Sequence, residues 1–152
     1  MKIEVSGNQV NYQLEGPVSA PVLMLSHTLA THLTLWDPQV DALVRDFRIL
    51  RYDILGHGGS DIPRGPCTLD GLAGQAGDLL DQLGIKQVHF LGLSLGGMIG
   101  QTLALRRPEC LASLLLCGAT CRIPAASHLS SMEQPEAFNR AVMTFLNRTP
   151  SR

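Results

Sequence analysis

The segment Val88-His89-Phe90-Leu91-Gly92-Leu93-Ser94-Leu95-Gly96-Gly97 constrains the fold more than any other part of the chain. It joins a short apolar run, which reads as a buried strand, to Gly-x-Ser-x-Gly and then to a helical pattern continuing through Leu105. Such a junction sets the serine on a sharp strand-to-helix turn, with its hydroxyl projecting from the end of a sheet. Gly92 and Gly96 flank it because the turn leaves no room for a side chain on either side. A helix beginning at Ser94 aims its N-terminal amides at the place where an oxyanion would form. The competing interpretation is an ordinary Gly-rich turn with a helix-capping serine. The strand before and the helix after favour a nucleophile.

The rest of the chain alternates in the same manner. Lys2–Val5 and Val10–Leu14 flank a Ser6-Gly7-Asn8 turn and read as a hairpin. Val22–Ser26, Arg48–Tyr52 and Leu111–Leu116 are short apolar runs of strand length. Asp37-Pro38 opens a helix whose expected core face is Val40, Leu43, Val44 and Phe47. Thr68 can cap a second helix with Leu69, Leu72, Ala73, Ala76, Leu79, Leu80 and Leu83 on one side. Pro135 starts a last helix with Ala137, Phe138, Ala141, Val142, Phe145 and Leu146 inward. Strands alternating with helices imply an α/β fold, a doubly wound, mostly parallel sheet covered on both faces.

With 152 residues, one domain with a substantial core is expected. Twelve basic against 13 acidic residues leave a net charge of −1, and no basic stripe exists. That argues against nucleic acid and anionic membrane surfaces as partners. No stretch is long and apolar enough to span a bilayer. The start of the chain alternates like a strand and lacks the apolar core of a signal peptide. Cys67, Cys110, Cys117 and Cys121 form no CxxC pair, and no histidine stands at metal-finger spacing. Reduced thiols in a cytoplasmic protein are the expectation. No metal or organic cofactor is implied.

Between Cys117 and Gln134 the periodicity collapses, and a loop that long in a compact domain is either functional or a warning against the element assignment. It contains His128. A serine nucleophile needs a base of suitable pKa, so His128 is the candidate. His27 follows the strand Val22–Ser26, in the loop expected to supply a second oxyanion amide, Leu29 N–H beside Leu95 N–H. The His27 side chain itself reads as structural. His57, in a Gly-rich turn, is expected to bond nearby backbone; His32 and His89 read as a solvated and a strand histidine.

These residues carry a resemblance. Trp36-Asp37-Pro38-Gln39, Arg51-Tyr52-Asp53 with Gly56-His57-Gly58, Gly92–Met98, and His128-Leu129-Ser130 before Glu133-Gln134-Pro135-Glu136-Ala137-Phe138 resemble the α/β-hydrolase-fold enzymes. Within them they are most similar to the 3-oxoadipate enol-lactonases of aromatic-compound catabolism. The similarity runs in two blocks, to about Arg122 and from about Ser127 to Asn147. It implies Ser94 as nucleophile, His128 as base, and Leu29 and Leu95 as oxyanion-hole donors. It also exposes a departure. The family places a helical cap, two further strands and the catalytic acid between these blocks, whereas this chain crosses directly through Ile123–Ala126. Leu55 replaces the arginine usual before Gly-His-Gly. The expected architecture is one truncated domain: a sheet core over 1–122, then a His loop and C-terminal helix over 127–147.

Asp53, Asp61 and Glu133 are carboxylates that could replace the acid, and the sequence assigns none of them. The expected activity is hydrolysis of a small carboxylic ester or lactone, weakened by the missing acid. The alternative is a catalytically silent remnant serving as a binding or self-associating scaffold. The strand Leu111–Leu116, deprived of its usual neighbours, suggests a homodimer formed at that edge or by exchange of the His128 segment.

Overall fold

The computed structural model describes residues 1–118 and 135–146. Strand β1 (Lys2–Val5) turns into β2 (Asn8–Glu15) through Ser6 and Gly7, at φ 48 and 79. Two successive positive φ values are what a tight hairpin between right-twisted strands needs. Next come β3 (Val22–Ser26), a 3-10 turn over Leu33–Trp36, α1 (Asp37–Leu43) and β4 (Arg48–Tyr52). They are followed by α2 (Leu69–Gln82), β5 (Val88–Leu93), α3 (Leu95–Arg106), β6 (Leu111–Cys117) and α4 (Pro135–Leu146).

The six strands form one sheet in the order β1-β2-β4-β3-β5-β6. The hairpin and its junction with β4 are antiparallel; β4, β3, β5 and β6 run parallel. This is the doubly wound, mostly parallel α/β arrangement expected from the alternation of elements. Its parallel strands are covered on both sides. On one, Leu72, Ala73, Ala76, Leu79 and Leu80 of α2 and Ile99 and Leu103 of α3 pack on Met24, Leu50 and Phe90. On the other, α1 and α4 pack on Leu23, Leu25, Ile49 and Leu91. Thr68 caps α2, its Oγ1 accepting the Gly71 N–H at 3.1 Å.

Three details differ from expectation. Helix α1 ends at Leu43, and Gln39 rather than Val40 is buried in it. The 3-10 turn delivers Trp36 into the core, so the inward stripe runs Trp36, Gln39, Leu43. Leu69 stands at the first position of α2 and is exposed. In α4, Phe138, Val142 and Leu146 are buried as expected, with Phe138 against Trp36 at 6.1 Å. The side chains of Ala137, Ala141 and Phe145 lie outside the described residues. The crossing of β2, β4 and α1 is tied by buried Arg51, which pairs with Glu15 and Asp37 and donates to Gln13.

Candidate active site

Strand β5 is buried along its whole length and ends one residue before Ser94. Ser94 stands at φ 53, ψ −109, backbone that an L-residue adopts only at a cost of the order of 1–3 kcal/mol. The surroundings enforce it. Ser94 N–H donates to the Cys117 carbonyl at 3.0 Å, Gly96 N–H to His27 at 3.1 Å, and Met98 N–H to Ser94 at 3.0 Å. A Cβ on Gly92 would stand 2.4 Å from the Gly96 oxygen, and one on Gly96 would stand 2.1 Å from the Ser26 oxygen. The steric reason given for both glycines therefore holds. The Ser94 side chain makes no capping hydrogen bond to α3, which removes the competing interpretation of a capping serine.

The elbow abuts the loop leaving β3. Ser26 Oγ and the Tyr52 hydroxyl bond at 2.9 Å, fixing the strand end. Burial pushes the Tyr52 phenol well above its ordinary range, so it stays neutral. Beyond His27 the loop folds back through Ala30 at φ 60, and the Leu29 side chain is exposed. Leu95 occupies the first position of α3, whose leading amides have no partner within the helix. No backbone hydrogen bond among the described residues uses the N–H of Leu29 or of Leu95. The Gly96–His27 bond brings the Leu29 loop and the elbow together.

The histidines separate by environment. His27 is fully buried; its Nδ1 bonds the Thr28 carbonyl at 2.8 Å, and Ile54 N–H donates to its Nε2 at 3.0 Å. That pattern requires the neutral Nδ1–H form, and burial pushes the ring's pKa down to about 4. His57 bonds the Leu55 carbonyl at 3.2 Å, and exposed His32 bonds Thr34 Oγ1 at 2.9 Å. His89 is buried, 2.8 Å from Ser113 Oγ, with burial lowering its pKa. His128 lies outside the described residues, as does Glu133.

Of the other carboxylates, Asp53 is fully engaged. It accepts Leu33 N–H at 2.7 Å, Asn11 Nδ2 at 2.8 Å and Gly59 N–H at 2.7 Å. Asp61 accepts Gln9 N–H at 2.8 Å at the β2 side of the sheet. Sequence reasoning missed this organising role of Asp53, because two of its three partners, Leu33 and Asn11, lie 20 and 42 residues away along the chain. The Arg51-Tyr52-Asp53 run was the only signal. Among the described residues no cluster of three His, Cys, Asp or Glu side chains could hold a metal. A cleft of about 240 Å³ between the hairpin turn and α2, with Cys67, Gln75 and Asp78 in its wall, contains none of the proposed site residues.

A strained serine stands between a strand and a helix, and relatives place that arrangement in a family. The family described as alpha/beta hydrolase fold matches residues 21–151. The chain is 34% identical over 117 residues to 3-oxoadipate enol-lactonase 1 of Acinetobacter baylyi, covering 77% of this chain and 44% of that protein. It is 41% identical over 110 residues to a protein assigned as carbamate hydrolase RutD in Stutzerimonas stutzeri, covering 70% and 41%. The crystal structure of the enol-lactonase from Burkholderia xenovorans LB400 superposes with a TM-score of 0.76 at 41% identity, covering 78% of this chain and 46% of that one. The chain thus spans less than half the length of each. On the family match, the fold and these identities, the chain belongs to the alpha/beta hydrolase fold family.

Proposed function

We propose that the chain is a serine hydrolase acting on a small carboxylic ester or lactone, in the manner of an enol-lactonase. The carrying observation is the strained Ser94, whose hydroxyl does not cap α3, while the N–H groups of Leu29 and Leu95 enter no backbone hydrogen bond among the described residues. In this reading Ser94 Oγ attacks the substrate carbonyl and His128 takes its proton. The N–H groups of Leu29 and Leu95 hold the oxyanion. Water then attacks the acyl-enzyme, and His128 returns the proton to Ser94. Relatives named for an enol-lactone and for a carbamate share an acyl carbon as reacting centre, which supports the class of reaction above the individual substrate. A fluorophosphonate probe should label the native chain, and Ser94→Ala should abolish labelling; equal labelling of both proteins would overturn the assignment.

Turnover should be slow. Loss of the acid that orients the histidine costs on the order of 10⁴ in kcat in other serine hydrolases. Neither Asp53, bound by three donors, nor Asp61, bound at the sheet's far side, is free to replace it. That engagement also favours a second reading, a binding scaffold without turnover. Slow hydrolysis of p-nitrophenyl acetate by the native chain, lost in Ser94→Ala, supports the first reading. A kcat on the order of 10² per second or more would overturn the missing-acid argument.

The same proposal includes a homodimer. Strand β6 ends the described sheet, so a second copy would pair along it or exchange the segment bearing His128. Light scattering should show a dimer, and a clean monomer at high concentration would count against it. The free thiols of Cys67 and Cys110 support a reducing, cytoplasmic setting. No helix among the described residues is long and apolar enough to cross a membrane.

A further inference from the structure

We infer that the His27 side chain is a positioning residue for carbonyl activation: its neutral ring ties the Thr28 carbonyl to the Ile54 amide and so holds the Leu29 N–H where the oxyanion needs it. The inference rests on the reading of Ser94 as nucleophile and adds a residue to that site.

The loop after β3 is not part of the sheet, so its position depends on a few bonds. One anchor is distal, Leu33 N–H on Asp53 Oδ1 at 2.7 Å. The proximal anchor is His27. Its carbonyl receives Gly96 N–H from the elbow, and its ring spans from the Thr28 carbonyl to Ile54 N–H beyond β4. Thr31 Oγ1 closes the loop on itself, donating to the Thr28 carbonyl at 2.8 Å and standing 3.2 Å from His27 Nδ1. Leu29 lies inside that closed turn. A single buried residue therefore joins the end of β4, the loop and the elbow.

The clamp needs one donor and one acceptor on opposite sides of the ring. A protonated ring would turn Nε2–H against Ile54 N–H, two donors face to face. Among the described residues the charged and titratable neighbours are few. The edge of the His57 ring is 5.3 Å away between centroids, Asp53 lies beside Ile54, and His32 sits on the same loop. Asp53 is occupied by three donors, and the only hydrogen bond from α3 to His27 comes from a backbone amide. Burial keeps the ring neutral near pH 7.

An oxyanion donor acts on charge that appears only in the transition state. Loosening the loop should therefore lower kcat and leave KM nearly unchanged. The experiment compares His27→Leu, which removes both ring bonds, with His27→Gln, which keeps an amide donor and an acceptor without a titratable proton. Thr31→Val is a milder variant that loosens the same loop from its other side. On p-nitrophenyl acetate at pH 7.5, kcat should fall about 30-fold in His27→Leu and about 3-fold in Thr31→Val, with KM changed less than about 3-fold. His27→Gln should recover most of the loss. Fluorophosphonate labelling rates should follow the same order.

A folded His27→Leu with native kcat overturns the inference, as does an equal loss of kcat in His27→Gln. So does a change confined to KM. If His27→Leu does not fold, His27→Gln and Thr31→Val decide: native kcat in Thr31→Val overturns the inference. The underlying reading fails separately. Labelling unaffected by Ser94→Ala, or no labelling of the native chain, removes the nucleophile and this inference with it. Native labelling that is unchanged by the His27 and Thr31 substitutions removes the inference alone.

Discussion

Gly96→Ala should both destabilise the protein and silence the elbow. In an ordinary helix the change would help, because alanine is favoured over glycine by about 1 kcal/mol. Here the added Cβ would lie 2.1 Å from the Ser26 oxygen, 2.6 Å from its carbonyl carbon and 2.8 Å from the His27 oxygen. All three are backbone atoms of the strand end and loop, so no side chain can swing aside. The start of α3 must move off β3 by roughly an ångström, and the 3.1 Å bond from Gly96 N–H to His27 breaks. Overpacking of this kind costs about 3 kcal/mol or more, which exceeds the propensity gain. An ångström of misplacement at a reacting group costs about 10²-fold in rate. A lower denaturation midpoint and at least about 10²-fold slower fluorophosphonate labelling are expected. Gly74→Ala is the control, since nothing lies within 4 Å of its Cβ. It should gain about 0.5–1 kcal/mol and label at the native rate. Equal behaviour of the two variants would show that the tight approach at Gly96 is not what holds the elbow.

The second large effect is acid sensitivity centred on His27. Its pKa is about 4 when folded, depressed chiefly by burial, against the ordinary 6.5. Between those values the unfolded chain binds a proton that the folded chain refuses. Stability therefore rises with pH across that window and is fully present above about 6.5. Acidification from 6.5 to 4 should remove up to about 3 kcal/mol through this one ring, a large part of a small domain's margin. His89, lowered by burial, acts in the same direction. Urea melts across pH 4–7 should show the slope, and His27→Gln should flatten it. An unchanged slope in that variant would place the acid-sensitive group elsewhere.

The elbow was legible because its determinants are local. Strand, turn and helix follow one another without a break from Val88 to Arg106, and the glycines announce their own steric reason. The same is true of the Ser6-Gly7 turn and the Thr68 cap, each made by neighbours in the chain. Helix α1 is less legible. Its inward stripe is phased by Trp36 in the preceding 3-10 turn, not by its own hydrophobic residues, so Gln39 went inward and Val40 did not. Nothing in Leu25-Ser26-His27-Thr28 reveals that the His27 ring meets Ile54, 27 residues on.

The amino-acid sequence by itself determined the alternation of strands and helices, the sharp turn at Ser94 and the family to which these motifs belong. Periodicity and turn sterics act over a few residues, and they leave a pattern that can be read in order. Tertiary structure alone decided that β4 lies between β2 and β3. It also decided that Asp53 is bound by three donors instead of standing free as an acid, and that Gly96 reaches the His27 carbonyl. Those outcomes come from pairing and hydrogen bonds between segments far apart in the chain. Such contacts have no period and no local composition; they exist only once the sheet has brought the strand ends together.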